Sequence, residues 1–136
     1  METRAIHHVG IVVELDQLDE AVETYRRRFG AEVEGRATLT EQRAEAAMLR
    51  LGDGRIELIA PLDQESGIAR FLAKRGPGMH HVALEVPDVA AALEELERAG
   101  ANLIDRVPRQ GLGGHQAAFV HPDSAHGVLV EVVSHG

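Results

Sequence analysis

Two histidine doublets and two isolated glutamates are the residues of this sequence best suited to chemistry. The doublets are His7-His8 and His80-His81, and the glutamates, each inside a later Val/Ile/Leu run, are Glu57 and Glu131. Glutamate follows the second histidine of its doublet by 49 positions in the first case and by 50 in the second. Because an unpaired carboxylate is costly to bury, this matched spacing indicates a site with two-fold pseudo-symmetry. Two imidazoles and two carboxylates are a suitable ligand set for a divalent metal ion.

The same succession of elements follows each doublet. Apolar alternation after the doublet predicts a strand, and apolar residues at helical spacing then predict helices over 15–29 and 89–99. Asp16 is the expected N-cap of the first helix. Gly30 and Gly100 are the expected C-terminal stops of the two helices. The remaining strands are predicted at 31–37, 44–51 and 55–60 in the first half, and at 101–104, 116–120 and 127–133 in the second.

These elements predict an α+β fold built from two tandem β-α-β-β-β modules. Module one spans 5–60, a connector with a short helix spans 61–78, and module two spans 79–133, all within a single domain, 1–136. We expect an eight-stranded, partly open, barrel-like sheet around the metal site. Each module would contribute one histidine and one glutamate to its concave side. His7 and His80 fall on the opposite strand face and are interpreted as structural histidines.

Composition narrows the class of protein. The chain has 136 residues, of which 44% are hydrophobic, so it can form one domain with a real core. Because there is no Cys, a disulfide framework and a thiolate site are excluded. The net charge of −8 argues against nucleic acid as a partner. We expect no membrane association and a cytoplasmic location, since no apolar run or signal pattern is present.

A glycine-rich loop precedes the predicted strand at 116–120. The run from Pro108 to His115 carries three glycines, at positions 111, 113 and 114. Such a loop is often a flexible turn. Its functional interpretation is that backbone N–H groups bind phosphate or carboxylate oxygens.

Several segments together resemble a known family. They are 7–11, 68–76, 78–83, 108–109, 113–115, 119–122 and 127–131. The doubled pattern with a histidine and a glutamate in each half resembles the vicinal oxygen chelate superfamily. Over nearly its whole length, the chain is similar to the methylmalonyl-CoA epimerases within that superfamily.

This resemblance implies a metal-dependent epimerase. A divalent ion, cobalt or manganese first and nickel or zinc as alternatives, would be held by His8, Glu57, His81 and Glu131. The substrate would be an acyl-CoA thioester, methylmalonyl-CoA, epimerised at C2 by proton abstraction through an enolate. A metal that polarises the thioester oxygen would stabilise that enolate. The resemblance also implies a homodimer, and we assign substrate binding to Arg109, Gly113, Gly114 and His115.

Epimerisation requires a proton to leave one face of C2 and another to arrive on the opposite face. Glu131 is the first candidate for the acid/base group. Some relatives carry a further glutamate where this chain has Ala46, and the nearest carboxylate is Glu45. Glu45 is the second catalytic candidate, although an offset of one residue in a strand points to the other face. A water on the metal is the third.

Other activities on the same scaffold are alternatives. A glyoxalase I-like lyase or isomerase would use a similar ligand set on a thiol adduct. An extradiol dioxygenase would use two histidines and one carboxylate around iron. A metal-free small-molecule binding protein of the same fold would not need the four ligands.

Overall fold

A computed structural model describes residues 1–135. The strands are β1 Ala5–Val12, β2 Glu32–Leu39, β3 Ala44–Leu51, β4 Gly54–Pro61, β5 Gly78–Glu85, β6 Arg109–Gln110, β7 Gln116–Val120 and β8 Val130–Ser134. The helices are α1 Leu18–Phe29, α2 Gly67–Arg75 and α3 Val89–Arg98. The predicted β-α-β-β-β order is therefore confirmed in each half, with α2 between the halves. By their contacts, the residues form two compact units, one from His8 to His80 and one made of Met1–His7 with the chain from His81 onward.

The first unit packs α1 against four strands in the order β2-β3-β4-β1. β1 runs parallel to β4, whereas β3 is antiparallel to both β2 and β4. The apolar positions at helical spacing in α1 face this sheet, and Leu18 and Val22 join Leu49 and Leu58 in one buried cluster. Burial of this aliphatic face is what holds the helix on the sheet.

The start of the first helix differs from the prediction. Leu15–Gln17 forms a 3-10 turn that leads directly into α1, and the N-cap is Gln17 without a side-chain hydrogen bond. Asp16 as the N-cap is therefore wrong, because it lies inside the turn rather than at its edge. The predicted stop is confirmed, since Gly30 adopts a left-handed φ of 73° as the C-cap.

The connector contains the predicted short helix, α2. Ser66 caps it by accepting a hydrogen bond from the backbone N–H of Ala69 at 3.2 Å. Ahead of the helix, Arg43 donates to Asp63 at 2.8 Å and to Glu65 at 2.9 Å. Gly76, with φ 74°, ends the helix before β5.

The second unit packs α3 against strands in the order β5-β8-β7-β6. β5 is parallel to β8, and β7 is antiparallel to β8 and to β6. Asp88 caps α3 by accepting from the N–H of Ala91 at 3.2 Å. The buried side of α3 joins Ala118 and Val132 in an aliphatic core.

Two predicted strands of the second half require correction. Residues 101–104 do not form a strand: within the described chain, Leu103 makes an isolated bridge to Val120, and β6 lies at Arg109–Gln110 instead. The ladder stops because the N–H groups of Ile104 and Asp105 both donate to the one carbonyl of Phe119. The strand expected at 127–133 begins only at Val130, since Gly127, at φ 93°, belongs to the preceding turn.

A helix must be long and apolar to cross a membrane. Among the described residues, no helix is long and apolar enough to cross a membrane.

Candidate metal and substrate site

The first histidine–glutamate pair lies on two parallel neighbours of the first unit. His8 is on β1 and Glu57 is on β4, and the residue that stands opposite Glu57 in the ladder is Gly10. The side chains are 4% and 8% exposed, and His8 Nε2 lies 3.7 Å from Glu57 Oε1. Because residues two apart share a strand face, the small Gly10 leaves room for His8 and Glu57 to meet.

The second pair repeats this arrangement in the second unit. His81 is on β5, Glu131 is on β8, and Ala83 stands opposite Glu131 in the parallel ladder. His81 Nε2 lies 3.5 Å from Glu131 Oε1, with side chains 1% and 6% exposed. In both halves, therefore, the histidine precedes the ladder partner of its glutamate by two residues. The matched spacing in the sequence reflects this common register.

Each pair has the chemistry of half a metal site. Imidazole nitrogen and carboxylate oxygen both bind first-row divalent ions. Two ligands that share one ion at bond lengths near 2.1 Å are separated by about 3.0–3.4 Å, and the two observed separations, 3.7 and 3.5 Å, are only slightly larger. The ring of Phe119 lies edge-on to His81, with centroids 5.4 Å apart, and restricts the orientation of that imidazole.

Glu45 lies away from this site in the first unit. The β3–β4 register runs without a shift and pairs Met48 with Glu57 and Glu45 with Ala60. Glu45 and Met48 are three positions apart, so their side chains are on opposite faces of β3. The Glu45 carboxylate accepts hydrogen bonds from Thr38 Oγ1 at 2.6 Å and from Arg36 Nε at 3.4 Å. Ala46, on the Met48 face, is fully buried.

The predicted substrate-binding residues lie together in the second unit. Arg109 starts β6, Gly113 and Gly114 close a 3-10 turn with φ values of 68° and 79°, and His115 precedes β7. The left-handed φ at both glycines requires residues without a side chain. The predicted loop is thus an ordered turn, closed by a hydrogen bond of 2.8 Å from the N–H of Gly111 to the carbonyl of His115.

Sequence reasoning missed the residue that positions Arg109. Asp105 is 7% exposed, accepts from Arg109 Nε at 2.8 Å and accepts from the N–H of Phe119 at 2.9 Å. A single aspartate in an irregular segment carries no periodic signal. Its spacing of four residues from Arg109 is the one feature that could have drawn attention to it.

The two histidines interpreted as structural, His7 and His80, lie in different environments. His80 is partly buried, and its ring lies edge-on to Phe71 at 5.0 Å. His7 is 2% exposed and lies beside His115 and His135. Nothing in the spacing of these three histidines along the chain predicted that they would meet.

The chain matches one protein-family model. Residues 7–119 match the Glyoxalase/Bleomycin resistance protein/Dioxygenase superfamily. This range includes both histidine doublets and Glu57.

Three similar proteins have related names. The ethylmalonyl-CoA/methylmalonyl-CoA epimerase of Cereibacter sphaeroides is 36% identical over 93% of this chain and 95% of its own length. The crystal structure of methylmalonyl-CoA epimerase from Mycobacterium tuberculosis is 35% identical, covers 98% of this chain and 89% of that one, and superimposes with a TM-score of 0.93. A variant of the Streptomyces coelicolor methylmalonyl-CoA epimerase in complex with 2-nitronate-propionyl-CoA has 33% identity and a TM-score of 0.93, covering 99% of this chain and 96% of that one.

Proposed function

This chain belongs to the Glyoxalase/Bleomycin resistance protein/Dioxygenase superfamily and, within it, to the methylmalonyl-CoA epimerase family, and we propose that it interconverts the two C2 epimers of methylmalonyl-CoA. The observation that carries this proposal is the repeated pair of buried imidazole and carboxylate, His8 with Glu57 and His81 with Glu131. A binding protein of the same fold would have no need to keep both pairs at the same ladder register.

The four side chains fit a divalent metal ion. They offer two nitrogen and two carboxylate oxygen donors, all buried, a set that suits cobalt, manganese, nickel or zinc. We propose His8, Glu57, His81 and Glu131 as the ligands, with cobalt or manganese as the native ion. When bound, the ion supplies a Lewis acid that polarises the thioester carbonyl and makes the C2 proton more acidic.

Glu131 is proposed as the group that takes the C2 proton. That proton lies between a thioester and a carboxylate, so its removal gives an enolate in which the negative charge is delocalised. The electron pair of the C–H bond moves into the enolate, and the proton goes to a carboxylate oxygen of Glu131. Return of a proton to the opposite face of C2 completes the epimerisation. Glu45 stays a candidate for that second group, although its carboxylate lies on the face of β3 opposite Met48, and its substitution tests the assignment.

Substrate binding is proposed for the Arg109 region of the second unit. Arg109 provides a positive charge whose position is fixed by the buried Asp105. Gly113 and Gly114 present backbone close to any ligand without a side chain in the way. Together with His115, these residues would bind the anionic groups of an acyl-CoA. A homodimer and a cytoplasmic location complete the proposal.

Chiral analysis of the thioester tests this function. Metal-free protein is reconstituted separately with Co²⁺, Mn²⁺, Ni²⁺ and Zn²⁺ and incubated with a single epimer of methylmalonyl-CoA. We expect the opposite epimer to form in at least one metal form and not with His81→Ala. A parallel reaction with ethylmalonyl-CoA tests how large an alkyl group the site accepts.

The same preparations distinguish the glyoxalase I-like alternative. Turnover of a glutathione hemithioacetal, with no epimer formed in any metal form, would replace the epimerase proposal. Glu45→Gln serves as the comparison variant. If it epimerises at the wild-type rate, the second proton does not come from Glu45.

A further inference from the structure

Three histidines outside the proposed four-ligand site meet in the second unit. His7, His115 and His135 come from the start of β1, the residue before β7 and the residue after β8. The ring centroids of His115 and His135 are 4.4 Å apart, those of His7 and His115 are 5.3 Å apart, and those of His7 and His135 are 6.1 Å apart. One nitrogen from each ring lies within 4.8 Å of the other two.

The fold brings these residues together from three distant parts of the sequence. The antiparallel β7–β8 ladder pairs Gln116 with Ser134, so the next residues outward are His115 and His135. At the other side, the N–H of Arg4 donates to the carbonyl of Glu85 at 2.8 Å and aligns the start of the chain with the end of β5. Backbone hydrogen bonds therefore place the main chain from which the three imidazoles extend.

We propose that His7, His115 and His135 form a second metal site, for a transition-metal ion that prefers imidazole. Three histidines with an open fourth position are an established arrangement for Zn²⁺, and imidazole also suits Ni²⁺ and Cu²⁺. Nitrogen ligands on a tetrahedral ion lie about 3.4 Å apart. The three ligand atoms lie within 4.8 Å of one another, so the rings would have to draw closer on binding an ion.

The three rings are buried to different degrees, so the proposed site is open to solvent on the His135 side. His7 is buried, His115 is partly buried and the side chain of His135 is 63% exposed. His7 and His115 would be the ordered ligands, and His135 would close over an ion from solvent. Glu85 Oε2 lies 3.8 Å from His135 Nε2. A carboxylate at this position can orient the imidazole or complete the coordination.

The ligand chemistry distinguishes this site from the four-ligand site. It has three nitrogen donors, whereas the other has two nitrogen and two oxygen donors, so Zn²⁺, Ni²⁺ and Cu²⁺ are favoured here more strongly than Mn²⁺. A bound ion would tie the start of the chain to its end and to the glycine loop. Its expected effect is therefore on stability and on the order of that loop.

Metal stoichiometry of the untagged, full-length protein tests the proposal. Metal-stripped protein is titrated with Zn²⁺ by calorimetry, and bound zinc is counted by mass spectrometry after dialysis. We expect one more equivalent in the wild type than in His135→Ala. The control is His121→Asn, which changes an exposed histidine of the same unit and keeps a side-chain acceptor for the N–H of Asp123; it should bind as much zinc as the wild type.

Two further variants keep the result interpretable. His115→Gln should lose the same equivalent as His135→Ala, whereas His81→Ala should lose a different one and keep the zinc that depends on His135. Equal zinc content in wild type, His135→Ala and His115→Gln would overturn the second site, whatever happens to epimerase activity. Loss of activity in His81→Ala with the His135-dependent zinc retained would support both sites independently.

Discussion

At the residue scale, the two glutamates of the repeated pair occupy equivalent places in their ladders. Each stands opposite a small residue, Gly10 or Ala83, and each lies within 4 Å of a buried imidazole. Their proposed roles nevertheless differ. Both are proposed metal ligands, and Glu131 is also the proposed acceptor of the substrate proton. Equal geometry in the two halves therefore does not require equal roles.

The difference between the two glutamates gives the first prediction. Glu131→Gln removes the proton acceptor and should slow epimerisation by about 10²–10⁴-fold, the usual contribution of a general base. Glu57→Gln keeps an oxygen ligand and no base is lost, so at equal metal content the rate should fall less than in Glu131→Gln. Steady-state rates of the metal-loaded variants, at equal measured metal content, test this. Equal losses in the two variants would contradict the assignment of Glu131.

At the residue scale, the repeated spacing of about one module predicts that His8 meets Glu57 and that His81 meets Glu131, and the structure brings each pair together. Their role as metal ligands stays a prediction. The partners His7 with His135 and Asp105 with Arg109 were missed. These contacts depend on where strands end and on the conformation of an irregular segment. Neither feature has a repeating pattern in the sequence.

At the element scale, the hydrophobic pattern and the positions of the glycines predict most of the helix and strand boundaries. β3 and β7 lie where the alternation predicted them, and α1 ends at the predicted Gly30. α3 ends at Ala99, and the predicted Gly100 follows it with a left-handed φ of 85°. The predicted strand at 101–104 is wrong, because the N–H groups of Ile104 and Asp105 share the carbonyl of Phe119. A strand of two residues forms later, at Arg109–Gln110. Hydrogen bonds of this kind are set by tertiary contacts, and propensity does not encode them.

Gly30 gives a prediction for helix termination. Its φ of 73° at the C-cap of α1 is strained for any residue with a Cβ, so Gly30→Ala should lower the free energy of unfolding by about 1 kcal/mol. Gly35→Ala is the matched control, because a Cβ there meets open space at an ordinary φ. Urea unfolding measures both. A Gly35→Ala loss as large as that of Gly30→Ala would remove the conformational explanation.

Asp63 gives a prediction for pH dependence at the connector. The backbone N–H of Glu65 and the guanidinium of Arg43 hold the pKa of Asp63 below its ordinary value, against a smaller opposing effect of desolvation. A lowered folded-state pKa contributes stability above the unfolded-state pKa, and this contribution disappears as the pH falls through the folded-state pKa. Asp63→Asn should therefore be less stable than wild type at pH 6, and this difference should disappear as the pH falls through the folded-state pKa of Asp63.

Thermal unfolding across that pH range provides the measurement for Asp63. Asp53→Asn, in the exposed turn between β3 and β4, is the control for removal of a surface carboxylate. If Asp63→Asn stays less stable than the wild type by the same amount in strong acid, the stabilisation by Asp63 does not have an electrostatic origin.

At the scale of the whole molecule, the proposed ligands come from both halves of the chain. Each half contributes one imidazole and one carboxylate to the proposed four-ligand site, and the second unit also carries the proposed substrate-binding residues. The proposal therefore predicts that neither module alone provides the full ligand set.

Metal removal follows as a prediction for the whole molecule. An ion that binds the folded chain and not the unfolded chain raises stability by mass action. Dialysis against a chelator should lower the Tm, and addition of Co²⁺ or Zn²⁺ should restore it in a concentration-dependent way. His81→Ala should respond less to Co²⁺ than the wild type. A Tm that is the same with chelator and with metal would contradict resident metal binding.

Exchange of the C2 proton in heavy water tests the central claim most directly. Metal-loaded protein is incubated with one epimer of methylmalonyl-CoA in D₂O, and deuterium at C2 is followed by mass spectrometry together with chirality. The account predicts deuterium in the product epimer, dependent on metal and strongly reduced in Glu131→Gln. Epimer formation without deuterium, or no exchange with any of the four metals, would contradict proton abstraction at this site.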